Sequence, residues 1–406
     1  MTIRNLERLF APTSVALIGA SEKPHSIGAI VLGNLREAGF TGAILPVNPK
    51  YDFIAGIKAY PSVQSLPVTP DLAVICTPPA TVPQLIGELG ALGTKAAMVL
   101  TAGLGRIADA SGVTLTEAML VAAKPHLLRV LGPNCVGLLV PALKLNASFT
   151  HTDALAGNIA FVSQSGALVT AVLDWAKSRN IGFSKLISLG DSADVDFGDV
   201  IDYLAGDEKT HAILLYLESI KAARKFMSAA RAAARNKPVI ALKAGRNPEG
   251  AKAAMSHTGA LAGSDDVYDA AIRRAGMLRV YSTEDLFDAV ETLTRARPLH
   301  GERLAIMTNG GGLAVMAVDA LIEQQGSLAR LSDETLQKLD AVLPSTWSRA
   351  NPVDIIGDAP ADRYVQALQT LLEDAEADSV LIIHAPTAVA SSAEIAAALI
   401  PIAQQT

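Results

Sequence analysis

Several residue types are scarce in this sequence of 406 residues, and each scarcity excludes a class of protein. Lysine and arginine number 34 against 40 aspartates and glutamates, so no general cationic excess is present to hold a nucleic-acid backbone. Aromatic residues make up 4% of the chain, which leaves few rings on which bases could stack. We therefore expect no binding of nucleic acid.

Long apolar runs and cysteines are scarce as well. No run approaches the roughly 20 apolar residues that cross a bilayer. The amino-terminal segment MTIRNLERLFAPTS carries Arg4, Glu7 and Arg8 where an export signal would be apolar, and it predicts an amphipathic helix. Two cysteines, Cys76 and Cys135, are too few for a disulfide framework or a zinc site. We expect a cytoplasmic protein without a membrane segment or a metal cluster.

Apolar residues are abundant, at 50% of the chain, and they occur in short runs between helical patterns. Short apolar strands that alternate with helices indicate βαβ units, in which a parallel sheet is buried on both faces. This cycle occurs three times. The sequence predicts an α/β protein of three consecutive doubly wound, Rossmann-like or flavodoxin-like domains with mostly parallel sheets. Their predicted limits are residues 1–145, 146–297 and 298–406.

The third of these domains shows only two evident strands, Arg303–Thr308 and Ser379–Ala385. Helical patterns and a proline-rich loop over Leu343–Pro360 lie between them. Two strands make a thin sheet for a domain of this length. We therefore expect the domain to continue beyond Thr406.

The first strand leads into a glycine-containing turn and a helix, in SVALIGASEKPHSIGAIVL. Gly19 and Gly28 allow a tight turn, after which backbone N–H groups and the helix N-terminus favour an anionic phosphate. The dinucleotide fingerprint G-x-G-x-x-G is absent, and Lys50 follows the second strand where an NAD site would have an acidic residue. A lysine suits a ribose that carries a phosphate, as in NADP or coenzyme A. The alternative is an ordinary surface lysine.

Two further strand ends have the character of a ligand site, because ligands of open α/β sheets bind at the carboxyl ends of strands. Thr77–Pro79 follows one apolar strand and Thr101 follows the next. The first of these could equally serve only to start the next helix. Cys135 could be a nucleophile, but a small buried side chain in a turn is the more ordinary role.

Among seven histidines, His257 has the most informative surroundings, the small residues of MSHTGALAG. Small neighbours let other groups approach the ring, and an imidazole with a pKa of about 6.5 is largely neutral near pH 7 and nucleophilic. Such a histidine could accept a phosphoryl or acyl group and pass it on. The alternative is a core histidine that bonds to a backbone carbonyl.

Other strand ends of the second domain could serve this histidine. Ser163–Gly166, with the sequence SQSG, ends a strand and opens a helix whose free N–H groups suit a phosphate. Glu218 also follows a strand, and its carboxylate could orient the ring and stabilise its cationic form. Lys243 and Arg246 could be cations of the site or surface residues.

Together these motifs resemble those of the NDP-forming acyl-CoA synthetases. That family includes the ADP-forming acetyl-CoA synthetases and, more distantly, the α subunit of succinyl-CoA synthetase. The resemblance covers the whole chain, and SHTGALAG is its most specific stretch. The matching stretches are LIGAS…IG, PVNPKYD, CTPP, LTAG, LGPNCVG, FVSQSGAL, LYLES, LKAGR, MSHTGALAG, TNGGG and NPVDIIGDA.

The resemblance implies a role for each matching residue. His257 would be the phosphorylated histidine, and Glu218 would pair with its ring. Coenzyme A would be held by strand ends of the first domain, with Lys50 near its 3′-phosphate. The implied coenzyme A residues are Gly19, Ala20, Ser21, Lys50, Thr77, Pro78, Pro79, Thr101 and Asn134. The implied acyl and phosphate site is bordered by Asn134, Ser163, Gln164, Ser165 and Gly166.

The family reaction that the resemblance implies is acyl-CoA + Pi + ADP ⇌ carboxylate + CoA + ATP, by way of an acyl phosphate and a phosphohistidine. ATP or ADP with Mg²⁺ would bind to an ATP-grasp domain outside this chain, on a β subunit or later in a fused protein. This sequence itself has no Walker-type motif and no Gly-Lys dipeptide. Acetate or another small carboxylic acid is the expected substrate, and we expect an oligomer.

Two features depart from the usual family pattern. Gly190-Asp191 stands where relatives commonly have Gly-Asn, which brings an additional carboxylate near the phosphate site. TNGGG and LPSTWSRANPVD resemble bacterial chains that are fused to an acetyltransferase domain. The alternative function is therefore a CoA- or acyl-CoA-sensing module of a protein lysine acetyltransferase. An NADP-dependent oxidoreductase would leave the second and third domains unexplained.

Overall fold

The computed structural model describes residues 3–250, 252, 264–295, 299, 301–388 and 391–405. The chain forms two compact units, Met1–Ala296 and Arg297–Thr406. Both are built on mostly parallel sheets with helices, which confirms the predicted α/β class. Within those described ranges, no helix combines the length and apolarity that a membrane span requires.

The first unit begins with a parallel sheet of five strands. The strands are β1 (Ser14–Ile18), β2 (Ala43–Val47), β5 (Leu72–Ile75), β6 (Ala96–Val99) and β7 (Arg129–Leu131), and a separate antiparallel pair consists of β3 (Phe53–Ile54) and β4 (Ile57–Lys58). Their helices are α1 (Glu7–Phe10), α2 (Ile27–Glu37), α3 (Val82–Leu92) and α4 (Leu115–Ala123). The strand order is β2-β1-β5-β6-β7. β1, β5 and β6 are buried along their whole length, which explains their uninterrupted apolar sequence.

The amino-terminal helix is shorter than the sequence predicts. It covers only Glu7–Phe10, and Ala11 already has an extended φ of −142°. Pro12 follows, and a proline disfavours helical backbone at the residue before it. Leu9 and Phe10 are nevertheless buried, so the apolar face of this short helix packs against the core as expected.

The second sheet of the first unit has seven strands. They are β8 (Gly137–Val140), β9 (Leu145–Ser148), β10 (Ala156–Ser163), β11 (Phe183–Ser188), β12 (Ala212–Leu217), β13 (Val239–Lys243) and β14 (Leu278–Val280). Its helices are α5 (Gly166–Ser178), α6 (Phe197–Ala205), α7 (Ala223–Ala234), α8 (Asp265–Ala275) and α9 (Thr283–Arg295). The strand order is β14-β13-β12-β10-β11-β8-β9. β8 pairs antiparallel with both β11 and β9, and the other strand pairs of this sheet are parallel.

Both sheets of the first unit share one continuous apolar core. Val15 in the first sheet and Leu138 and Val162 in the second belong to the same buried cluster. Polar contacts also join the sheets, since the Nδ2 of Asn34 in α2 donates to the carbonyl oxygens of Ser148 and Thr150, each at 2.9 Å. Apolar and polar contacts therefore hold the two sheets together.

The second unit contains a four-stranded parallel sheet, whereas the sequence shows only two evident strands. The strands are β15 (Arg303–Thr308), β16 (Ser327–Leu328), β17 (Val353–Asp354) and β18 (Ser379–Ile383), with helices α10 (Gly311–Glu323), α11 (Asp333–Val342), α12 (Ala361–Leu372) and α13 (Ser392–Gln405). β15 pairs with the other three. β16 and β17 have two residues each, too few to leave a periodic pattern in a sequence.

Candidate functional site

A cavity of about 500 Å³ lies in the first unit, where strand ends of the first sheet approach the start of α5 in the second. It brings together residues that the sequence predicts from widely separated motifs. The predicted residues that line it are Thr77, Pro78, Pro79, Thr101, Asn134, Gln164 and Gly166. Apolar side chains, among them Ile27, Val136 and Phe149, complete the wall.

The turn after β1 depends on two glycines. Gly19 has a φ of +89°, in the left-handed region that favours glycine. A Cβ on Gly28, near the start of α2, would lie 2.1 Å from the carbonyl oxygen of Gly19. The helix can therefore approach the strand end this closely only because residue 28 has no side chain. Ser26 caps the helix by accepting a hydrogen bond from the Ala29 N–H at 3.4 Å.

Asn48, which was not predicted as a site residue, connects the ends of β1 and β2. The Nδ2 of Asn48 donates to the carbonyl oxygen of Ala20 at 2.7 Å, and its Oδ1 accepts from the Lys50 N–H at 2.9 Å. The side chain of Lys50 is exposed beyond this contact and does not line the cavity. Ser21 follows the turn, and its Oγ accepts from the Lys23 N–H at 3.0 Å. Asn48 lies within PVNPKYD, the signal that could have identified it.

Hydrogen bonds also tie together the next three strand ends. The Thr101 hydroxyl donates to the Thr77 carbonyl oxygen at 2.7 Å, and the Asn134 N–H donates to the Thr101 carbonyl oxygen at 3.0 Å. The Thr81 hydroxyl donates to the Thr77 hydroxyl at 2.8 Å. Thr77–Pro79 leads through a short 3₁₀ turn into α3 and also lines the cavity, so both roles considered for this segment are compatible.

Both cysteines border the cavity, yet neither is prepared for nucleophilic attack. Burial raises the pKa of the Cys76 thiol to about 12. Burial also raises the pKa of Cys135, whose Sγ donates to the Val99 carbonyl oxygen at 3.4 Å. Since only the thiolate is a strong nucleophile, the structure supports the small buried role for Cys135.

The predicted helix start at SQSG is confirmed, since α5 begins at Gly166. The Ser163 hydroxyl accepts from the Ser165 N–H at 3.0 Å, and the Ser165 hydroxyl accepts from the Leu168 N–H at 3.3 Å. A Cβ on Gly166 would lie 2.2 Å from Cγ2 of Val136. The N-terminus of α5 therefore starts directly against the cavity wall, where its partial positive charge favours an anion.

Glu218 lies directly after β12 and is 7% exposed. Lys243 at the end of β13 is 2% exposed, so of its two possible roles the surface role is wrong. Burial lowers the pKa of Lys243, Arg279 lowers it further, and Asp265 and Glu218 raise it. Arg246 is exposed, and its guanidinium lies 5.2 Å from the centre of the Tyr281 ring.

His257, the predicted phosphate carrier, lies outside the described residues. Within the part of the chain that is described, no three His, Cys, Asp or Glu side chains form a group that could hold a metal ion.

The additional carboxylate of Asp191 contacts Asn134, which lines the cavity. Its Oδ1 accepts from the Asn134 Nδ2 at 3.1 Å, and its carbonyl oxygen accepts from the Lys221 Nζ at 2.6 Å. Gly190 has a φ of +55°, and a Cβ there would lie 2.3 Å from the Pro133 carbonyl oxygen. This loop therefore packs directly on the turn that presents Asn134.

Two family models match the first unit, one over the segment of its first sheet and one over most of its second sheet. Residues 13–141 match a CoA binding domain, and residues 156–293 match a succinyl-CoA ligase like flavodoxin domain. The first match contains the glycine turn, Lys50, Thr77–Pro79, Thr101 and Asn134. The second contains SQSG and Glu218.

Whole-chain relatives agree with these matches. The ADP-forming acetate–CoA ligase I of Archaeoglobus fulgidus is 44% identical over 94% of this chain and 55% of its own length. The α subunit of the ADP-forming acetate–CoA ligase I of Pyrococcus furiosus is 40% identical over 97% of this chain and 85% of its own. The chain thus spans about half of the longer relative and most of the subunit.

A solved structure has the same fold over nearly the whole chain. The acetyl-coenzyme A synthetase 1 of Candidatus Korarchaeum cryptofilum, in complex with phosphate and ADP, superposes with a TM-score of 0.93 at 38% identity. The match covers 98% of this chain and 86% of that one. With its CoA binding and succinyl-CoA ligase like domains, the chain therefore belongs to the NDP-forming acyl-CoA synthetase family and resembles the α subunits of ADP-forming acetate–CoA ligases.

Proposed function

We propose that this chain is the CoA-binding and phosphohistidine portion of an ADP-forming acyl-CoA synthetase. It interconverts acyl-CoA, phosphate and ADP with a carboxylate, CoA and ATP, together with an ATP-grasp domain or β subunit that supplies the nucleotide and Mg²⁺. The observation that carries the proposal is the cavity, because it places Thr101 and Asn134 of the CoA binding domain opposite Gln164 and Gly166 at the start of α5.

The residues of the first sheet fit coenzyme A. The Gly19 turn and the start of α2 offer backbone N–H groups to its diphosphate, as glycine turns at helix N-termini do for phosphates. Lys50 is exposed at the neighbouring strand end, where its ammonium group can meet the 3′-phosphate. The thioester end then lies in the cavity, against Thr77–Pro79 and the apolar wall.

The start of α5 holds phosphate beside the thioester. A phosphate oxygen attacks the acyl carbon, the carbon–sulfur bond breaks, and CoA leaves as the thiolate and takes up the proton that phosphate gives up. N–H groups at the start of α5 stabilise the negative charge that develops in this step. The product is an acyl phosphate within reach of the second sheet.

His257 then attacks the phosphorus of the acyl phosphate, the bond from phosphorus to the acyl oxygen breaks, and the carboxylate leaves. Glu218 pairs with the ring and stabilises the cation that forms on it. The phosphoryl group passes from His257 to ADP on the nucleotide-binding partner. We propose acetate as the carboxylate because the relatives described above are named for acetate. We further propose three domains with limits at residues 1–145, 146–297 and 298–406, and an oligomeric assembly.

The test compares the full-length protein with its His257→Ala variant. We expect the variant to lose ATP formation from acetyl-CoA, phosphate and ADP, while its affinity for CoA stays within about twofold of the wild type, a change of under 0.5 kcal/mol. ATP formation that survives in the variant would refute the phosphohistidine role. Intact CoA binding without ATP formation in the wild type would instead favour the sensing module of a lysine acetyltransferase.

A further inference from the structure

The turn that follows β12 is held by side chains from two distant elements. The N–H groups of Glu218 and Ser219 both donate to the Oε1 of Gln164, at 2.7 and 3.0 Å. The N–H of the next residue, Ile220, donates to the hydroxyl oxygen of Tyr268 at 3.1 Å. Three consecutive backbone donors are thus satisfied by side chains.

These contacts matter because the turn is shielded from water. Glu218 and Ser219 are each 7% exposed, so solvent cannot readily replace a lost acceptor. Buried backbone N–H groups in proteins are almost always paired, and an unpaired one is costly. Without Gln164 or Tyr268 we therefore expect the turn to move until its N–H groups find other partners.

Each acceptor is itself fixed in place. Gln164 lies two residues before the start of α5 and lines the cavity, and its own N–H donates to the Tyr216 carbonyl oxygen at 3.3 Å. Tyr268 belongs to α8, which Arg279 of β14 anchors through Asp265 at 2.5 Å and Asp269 at 3.0 Å. The Nζ of Lys243 lies 4.6 Å from the centre of the Tyr268 ring.

We propose that Gln164 and Tyr268 are positioning residues that hold the backbone of Glu218, and with it the carboxylate, for phosphoryl transfer. This inference rests on the proposed function, since it assigns to Glu218 the role of pairing with the histidine. Gln164 touches the cavity as well as the turn, so it links acyl phosphate formation to the transfer step. Tyr268 contacts the turn and Lys243 but does not line the cavity, so its effect is confined to the transfer step.

Two half-reactions of the full-length protein separate these effects. The first is cleavage of acetyl-CoA in the presence of arsenate, which replaces phosphate and gives an acyl arsenate that water hydrolyses. This reaction needs neither His257 nor ADP. The second is phosphorylation of His257 by acetyl phosphate, followed by quenched mass spectrometry of the histidine peptide.

We expect Tyr268→Phe to slow phosphorylation of His257 by about 10- to 100-fold, because a displacement of about 1 Å can cost that much in rate. Arsenate-dependent cleavage should stay within about twofold of the wild type, since the cavity is untouched and the ring over Lys243 is kept. Tyr203→Phe is the matched control. Tyr203 is also half-buried, but it packs on Phe10 and does not contact the turn, so both half-reactions should be unchanged.

A double-variant cycle tests whether Tyr268 acts through Glu218. In a Glu218→Gln background, Tyr268→Phe should cause little further loss, because the carboxylate that it positions is already absent. The inference would be overturned if the two substitutions lowered the phosphorylation rate by independent factors that multiply. It would also be overturned if Tyr268→Phe slowed both half-reactions equally or slowed neither. If the wild type itself is not phosphorylated by acetyl phosphate, the proposed function fails, and the inference fails with it.

Discussion

The turn after β1 and the turn after β12 lie at strand ends in the two sheets of the first unit, and they are held by different means. The turn after β1 is shaped by missing side chains, because Gly19 adopts a positive φ and Gly28 allows α2 to approach. The turn after β12 is held by side chains from other parts of the chain, because Gln164 and Tyr268 accept hydrogen bonds from its N–H groups. The first arrangement lets a helix approach the strand end closely, whereas the second fixes the backbone at Glu218.

The difference predicts that the two turns fail in different ways. A side chain added at the first turn should weaken coenzyme A binding. An acceptor removed from the second turn should slow group transfer and leave coenzyme A binding largely intact.

Gly28→Ala should have the largest effect. The added Cβ would lie 2.1 Å from a backbone carbonyl oxygen, so α2 must move away from the turn. We expect the free energy of unfolding to fall by about 1–3 kcal/mol, as for other overpacked sites. We expect the affinity for CoA, measured by calorimetry, to fall by more than about tenfold, a change of about 1.4 kcal/mol.

Gly33→Ala is the control for this substitution, because it changes the same helix where the nearest atom to the added Cβ is a flexible glutamate oxygen at 4.0 Å. It should stabilise the protein by up to about 1 kcal/mol through helix propensity. Equal effects of the two substitutions on CoA affinity would show that close packing at Gly28 is unimportant.

Gln164→Leu should have the next largest effect. The variant keeps an apolar side chain of similar size but leaves the N–H groups of Glu218 and Ser219 without their acceptor. We expect the free energy of unfolding to fall by about 1–3 kcal/mol. Formation of ATP from acetyl-CoA should slow by at least about tenfold, while CoA affinity stays within about twofold. A variant that lost CoA binding and kept its turnover rate would reverse the comparison.

Asp191→Asn should have a smaller effect of the opposite sign. The substitution keeps an oxygen that can accept from the Asn134 Nδ2, but it removes a negative charge beside this cavity-lining residue. Since like charges repel, we expect the KM for phosphate to fall by about two- to fivefold, with little change in stability. Steady-state kinetics with varied phosphate measures this, and a higher KM would show that the carboxylate assists binding.

Thiol chemistry beside the first turn should have the smallest effect on function. Burial raises the pKa of Cys76 to about 12, so at pH 8 its thiolate fraction is less than about a thousandth of that of a free cysteine with pKa about 8.5. We expect slow labelling by iodoacetamide and unchanged activity at pH 8. Because burial raises the folded-state pKa of Cys76, the protonated thiol contributes fully to the free energy of unfolding below about pH 8.5. This contribution is lost as the pH rises toward 12. Rapid labelling of the folded protein at pH 8 would contradict this.

The comparison of the two turns also explains what a sequence can reveal. Gly19 and Gly28 lie nine positions apart, so the first turn could be predicted from local sequence, as could the helix start at SQSG. Gln164 and Tyr268 reach the second turn from 54 and 48 residues away, and no local pattern connects them to Glu218. The sequence identified Glu218 and Gln164 as site residues but did not connect them, and Tyr268 was missed.

The sheets show the same limit. The strand β15 was predicted with its observed bounds, because a continuous apolar run between turns marks it. β8 and β9 have four residues each, and they pair antiparallel, β8 with β11 and β9 with β8. β8 thus joins the second sheet from within the predicted first domain. The pairing of β8 with β11 depends on contacts between segments that are distant in the sequence, which local patterns do not contain.

The most direct test of the proposed chemistry is the phosphorylation state of His257 in the full-length protein. The protein is incubated with Mg-ATP, and mass spectrometry is used to search for an acid-labile phosphate on that histidine. We predict that the phosphate appears and that it disappears when acetate and CoA are added together. A histidine that stays unmodified while CoA binding is intact would contradict phosphoryl transfer through this chain.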